Sequence, residues 1–240
     1  MNLLDDIYND MNEFIHQRLT IAQTQNSYQE TLSKWPIVEH RDIVLSDEMG
    51  VELGNPSDES ASFLVWTNHE APQINGSITL IGPDIIDCKT RHLPFGKVII
   101  CRGVDFNQDN SYDRYREMDL LRFDMTLEGY MMRAVSQYLK EWTRLSQNVI
   151  QKKYSLFMLG KTFVEAYKDL PYIQEVNIVL VTSCSEDVRA LKIIGENARR
   201  RVAALAKMTE ELSFDCDACE YQDVCQEVSD LRVMRKKKNQ

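Results

Sequence analysis

Val176-Asn177-Ile178-Val179-Leu180-Val181, followed by Thr182-Ser183-Cys184-Ser185-Glu186, carries the clearest structural instruction in the chain. The first six residues predict a strand apolar enough to be buried on both faces. Ser183 and Glu186 then stand at capping-box spacing, in which each side chain satisfies a free backbone donor beside the other. Beyond them apolar residues recur at Val188, Leu191, Ile194, Ala198, Val202, Leu205, Met208 and Leu212, in steps of three or four. That is the helical period. A strand feeding a long helix is therefore expected, and the helix delivers the backbone to Cys216.

The remaining elements are read outward from this pair. Residues 63–66 (Phe-Leu-Val-Trp), 78–81 (Ile-Thr-Leu-Ile) and 97–101 (Lys-Val-Ile-Ile-Cys) predict strands, with Pro72 and Asn75-Gly76 as a turn signal between the first two. Residues 3–31 carry Leu4, Ile7, Met11, Phe14, Ile15, Ile21 and Ala22 near the 3.6 period, an amphipathic helix stopped before Pro36. Leu127, Met131, Ala134, Val135, Tyr138 and Trp142 fit one face of a further helix. Ser146 is the expected cap of the next, which holds Val149, Ile150, Tyr154, Phe157 and Met158 inward and ends near Gly160. The fold class predicted is α+β: a mixed sheet, packed amphipathic helices, and a long helix leading to a cysteine-rich end. The expected divisions are a helical segment (1–40), an α+β domain (41–212) and a cysteine-rich segment with a basic tail (213–240).

Composition narrows the function. The 240 residues carry 28 Lys and Arg against 37 Asp and Glu, a net charge of −9, and 43 % are hydrophobic. Such a chain can bury a real core, which excludes disorder for most of its length. Acidity argues against nucleic acid, whose phosphates need a basic face. No apolar run reaches the roughly 18–20 residues of a membrane span. The acidic start, Met1-Asn2-Leu3-Leu4-Asp5-Asp6, is unlike a signal peptide, so a cytoplasmic protein is expected.

Three cysteines, Cys216, Cys219 and Cys225, fall within ten residues. A C-x2-C turn sets two thiolates on one side of a tight loop, and a third after five residues can fold back onto the same site. In a cytoplasmic chain such a trio points to metal. An iron–sulfur cluster leads, because zinc would be expected with a nearby His and a redox pair would follow a βα turn. Both metal sites want four ligands. A distant cysteine, with Cys184 first in line, an acidic side chain or a partner would supply the last. The stretch 105–110 has the carboxylate rhythm of a calcium loop, but Asn110 replaces the turn glycine and Arg116 the bidentate glutamate, so a solvated acidic loop is expected. Gly82-Pro83-Asp84 lacks the donors of a phosphate loop. His16, His40, His69 and His92 are scattered without metal-ligand spacing. Trp142 with Arg144, and the 199–201 arginine run, are read either as anion contacts or as solvated, paired helix-face residues.

Several segments in order resemble the β subunit of the carbon monoxide dehydrogenase/acetyl-CoA synthase complex, that is, acetyl-CoA synthase. Val51-Glu52-Leu53-Gly54-Asn55-Pro56 is similar to that family's Val-Glu-x-Gly-Gly-Pro, and residues 78–85 to its Ile-Glu-x-Ile-Gly-Pro-Asp-Ile. Residues 93–98, Glu128-Gly129, Trp142-Thr143-Arg144-Leu145-Ser146 and the strand–helix–C-x2-C order also have counterparts. The resemblance implies an α+β middle domain and the beginning of the domain that holds a nickel–iron–sulfur centre. It implies that Cys216, Cys219 and Cys225 are ligands of a four-iron cluster, with Cys219 bridging to nickel. It places Trp142 and Arg144 in a segment associated with coenzyme A. CO dehydrogenase or corrinoid protein subunits are the implied partners, in anaerobic one-carbon metabolism. Departures limit this: the gap before the third cysteine is short, no fourth follows Cys225, and no Cys-Gly-Cys offers the second nickel a site. The expected function is thus a cluster-binding acetyl-CoA-synthase-like protein. The alternatives are a working acyltransferase subunit with nickel ligands supplied elsewhere, and a module stapled by iron–sulfur or zinc.

Overall fold

The computed structural model describes residues 3–67, 74–107, 109–136 and 140–210. These divide into two compact units: Arg18–Lys192, and a second built from the first helix and the last helix from Ile193 onward. The larger unit is a mixed α+β fold, as the sequence predicts, but its strands form two sheets.

The first sheet has the order β1-β4-β9-β6-β3 among the described residues. Its strands are β1 (Ala22–Asn26), β3 (Ser60–Thr67), β4 (Ser77–Ile81), β6 (Phe95–Gly103) and β9 (Ile173–Val181). Every predicted strand lies here. The decisive run 176–181 is buried throughout and sits between β4, its parallel neighbour, and β6, its antiparallel one. β3 pairs in parallel with β6, so the Asn75-Gly76 turn does not close a hairpin between β3 and β4. Helix α4 (Leu156–Lys168) covers this sheet, its start fixed by the Ser155 hydroxyl accepting the Met158 N–H. Gly160 lies inside α4, not at its end. A Cβ there would come within 2.6 Å of Ile78 Cγ2, so the missing side chain is what lets the helix approach β4.

The second sheet has the order β5-β2-β8-β7, from β2 (Met49–Leu53), β5 (His92–Leu93), β7 (Tyr130–Ser136) and β8 (Lys140–Ser146). This overturns the helix read through Leu127, Met131 and Trp142. On β8 the buried residues are Glu141, Thr143 and Leu145, a period of two. Two of those three are polar and read as surface in the sequence, which hides the alternation. Ser146 does precede a helix, α3 (Gln147–Gln151), but without a side-chain cap. Lys153 then turns the chain with φ +57° before α4 begins. Helix α2 (Ser111–Asp124) supplies one more cover, with Met118 buried.

In the smaller unit α1 (Leu3–His16) buries Ile7, Met11 and Phe14, the stripe the sequence predicts. The helix stops far short of residue 31, because residues 22–26 join the first sheet as β1. The long helix α5 (Ser185–Glu210) is present, about 39 Å at 1.5 Å per residue, and Leu212 of the predicted stripe lies outside the described residues. Its start differs by one detail: the Ser183 hydroxyl donates to Asp187, not in a box with Glu186. No helix among the described residues is long and apolar enough to cross a membrane.

Candidate ligand site on the four-stranded sheet

Strand alternation puts Trp142 and Arg144 on the same face of β8, opposite the buried Glu141, Thr143 and Leu145. The Arg144 guanidinium carbon lies 5.9 Å from the centre of the Trp142 ring. β2 runs antiparallel beside β8 and sets Glu52 directly across from Arg144. Arg144 Nε meets Glu52 Oε1 at 2.5 Å, and its Nη1 donates to Ser46 Oγ at 3.2 Å. Glu52 is only 5 % exposed, so a single charge there needs several partners. Its second oxygen lies 3.3 Å from His92 Nδ1 and accepts from Asn55 Nδ2 at 3.4 Å.

Asn55 Oδ1 accepts the N–H groups of Ser57 and Asp58, which fixes the amide orientation and leaves Nδ2 2.7 Å from His92 Nδ1. The result is an arginine beside an indole, its charge balanced by a buried carboxylate. An anion arriving at Arg144 would share it with Glu52.

Sequence reasoning found Trp142 and Arg144 but missed Ser46, Glu52, Asn55 and His92. The signal was partly present, since Glu52 and Asn55 belong to the segment 51–56 that carried the resemblance. The other arginine candidates lie on α5, where Arg201 pairs with Asp10 of α1 at 3.3 Å. In the 105–110 loop, Asn107 Oδ1 accepts two backbone N–H groups and Asn110 Nδ2 donates to the Asp105 carbonyl.

Cys216, Cys219 and Cys225 lie outside the described residues, as does His69. Among the described residues no group of three or more His, Cys, Asp and Glu side chains could hold a metal. The other cysteines differ sharply in environment. Cys184 is exposed, just before α5. Cys101 is fully buried, and burial pushes its thiol up. Cys88 donates to the Asp84 carbonyl, and burial, with the Asp84 and Asp87 carboxylates, pushes it up to about 11. Only the thiolate alkylates readily. Among these three, iodoacetamide at pH 8 is therefore expected to modify Cys184 before Cys88, which reacts at least about tenfold more slowly, and Cys101 only on unfolding. Peptide mass mapping over time checks the order.

Two mixed sheets, one of them carrying a charge-compensated polar cluster, define an α+β domain. The family model of the CO dehydrogenase/acetyl-CoA synthase complex beta subunit matches residues 37–188, well over half of the chain. The chain belongs to that family. The match takes in both sheets from β2 to β9 and ends at Val188, ahead of the cysteine run. No curated protein matches the chain.

Proposed function

We propose that this chain is an acetyl-CoA-synthase-like protein that holds an iron–sulfur cluster, of the four-iron class, on Cys216, Cys219 and Cys225. In this reading it acts with CO dehydrogenase or corrinoid protein subunits in anaerobic one-carbon and acetyl-CoA metabolism. The observation that supports it most is order along the chain: the family match over 37–188 is followed, through α5, by C-x2-C-x5-C.

The donor chemistry suits iron and sulfide, because thiolates are the standard ligands of such clusters. The three local sulfurs leave a fourth position for a distant cysteine, with Cys184 first in line, an acidic side chain or a ligand from a partner chain. Nickel does not fit in the same way, since the chain contains no Cys-Gly-Cys. When bound, the cluster would supply electron transfer. The chain's own residues would do the rest. The thiolates hold the iron, and Trp142 and Arg144 would receive coenzyme A, the indole as an apolar plane and the guanidinium toward a phosphate. Glu52 keeps that guanidinium fixed while no anion is bound.

Metal and sulfide analysis after anaerobic purification tests the reading. About four irons with matching labile sulfide and no nickel are expected. Stoichiometric nickel would support a working synthase, and zinc a structural staple. Cys219→Ala should abolish the visible absorption of the cluster. If the absorption survives in both Cys219→Ala and Cys216→Ala, the assignment is wrong.

A further inference from the structure

The segment from Cys88 to Arg91 walls an open cleft of about 310 Å³ that none of the above assigns. That is the lower end of the range for small-molecule sites. Its apolar side chains come from Met49 and Val51 of β2, Ile85 of the turn before Cys88, and Ile150 of α3. Facing solvent at its rim are Lys89 and Arg91, both exposed, and neither has an ion-pair partner among the described residues. Gln147 and Gln151 add amide groups from α3. No acidic side chain lines the cleft. In a chain of net charge −9, a cleft whose formal charges are both positive is a local reversal of the surface.

The wall is also held in place. Arg91 O accepts the Glu52 N–H at 2.7 Å, the Thr90 hydroxyl donates to His92 O, and the Cys88 thiol donates to Asp84 O. The Asp84 carboxylate accepts the Ile85 and Leu156 N–H groups. The backbone at the foot of both cations is therefore fixed, so little ordering of the chain would oppose a ligand. Two unpaired cations beside an apolar floor suit a molecule with a doubly charged head and an apolar body.

We propose that this cleft binds a phosphate monoester whose organic part is apolar, the phosphate on Lys89 and Arg91 and the body against Met49, Val51, Ile85 and Ile150. The proposal stands apart from the cluster reading, because it uses no cysteine of the 216–225 run and no metal.

Calorimetric titration of the full chain with phenyl phosphate and, separately, with inorganic phosphate tests it. Phenyl phosphate is expected to bind about tenfold more tightly than inorganic phosphate, from burial of the ring. The double variant Lys89→Gln/Arg91→Gln changes only exposed side chains and should keep the fold. It is expected to weaken phenyl phosphate by at least about tenfold. Ile150→Asn should remove the preference for the ester while leaving inorganic phosphate bound. Failure of phenyl phosphate to bind at millimolar concentration, equal affinity for both probes, or unchanged affinity in the double variant would each overturn the proposal. The metal content of the protein bears on none of these results, so this site and the cluster can fail independently.

Discussion

Glu141→Leu is expected to destabilise the protein by about 3–5 kcal/mol, and Lys97→Met by a similar amount. Both side chains are fully buried, Lys97 on β6 of one sheet and Glu141 on β8 of the other. The Lys97 ammonium lies 2.8 Å from each carboxylate oxygen. Ser62 donates to one of those oxygens at 2.7 Å and Tyr130 to the other at 2.9 Å. The ammonium also sits 4.5 Å from the centre of the Phe163 ring. Removing either partner strands the other as an unpaired charge away from water, which is where the cost arises. The double variant Lys97→Met/Glu141→Leu strands no charge, and should recover more than half of the summed single losses. Urea denaturation of the three variants gives the coupling. Simple addition of the two single effects in the double variant would show that the charges do not depend on each other.

The same pair has a pH signature. Burial by itself would raise the Glu141 carboxyl, but Lys97, Ser62 and Tyr130 outweigh it and hold the group below its ordinary value. A carboxyl depressed in the folded state contributes stability above its unfolded value of about 4.3 and loses it as pH falls through the folded value. Wild type should therefore lose stability below about pH 4 by an amount that Glu141→Gln does not show.

That ion pair also explains where the sequence could and could not be read. Strands whose buried positions are apolar were legible: β4, β9 and the apolar part of β6 are nearly continuous runs of Val, Ile and Leu. α5 was legible because its period extends over more than six turns. The hairpin of β7 and β8 was not, since its core positions include the polar Thr143 and Glu141, the latter buried against Lys97 and Ser62 far away in the chain. β1 was lost for another reason. Its alternation is weak, and it is an edge strand defined by pairing with β4. The candidate site repeats this division. Trp142 and Arg144 lie two residues apart and could be seen together. Glu52 and His92 join them only through the β2–β8 and β2–β5 ladders, which no local pattern announces.

Gly82→Ala should cost about 3–4 kcal/mol, although the position looks like an ordinary loop. Gly82 has φ +108°, a conformation L side chains rarely adopt. A Cβ there would also lie 2.4 Å from Ser183 N and 2.6 Å from Ser183 Cα, backbone atoms that cannot swing aside. The approach is needed because the Gly82-Pro83-Asp84 segment ties three elements together. Thr182 at the end of β9 donates its hydroxyl to Pro83 O at 2.6 Å. Asp84 accepts the Ile85 N–H at 2.6 Å and, across 72 residues of sequence, the Leu156 N–H at 2.9 Å, which starts α4. The segment is thus a clamp between the first sheet and α4. Asp84→Ala should cost about 2 kcal/mol by leaving buried N–H groups unpaired, whereas Asp84→Asn keeps an acceptor and should change stability by less than about 1 kcal/mol. Burial raises the Asp84 carboxyl against the pull of those N–H groups. Its stabilisation is therefore greatest at acid pH and declines as pH rises from about 3.9 through the folded value, opposite in sign to Glu141. Denaturation midpoints of wild type and Asp84→Asn between pH 3 and 7 separate the two carboxylates. A Gly82→Ala midpoint within experimental error of wild type would mean that the backbone at Ser183 yields, and that the clamp is not the rigid feature its contacts indicate.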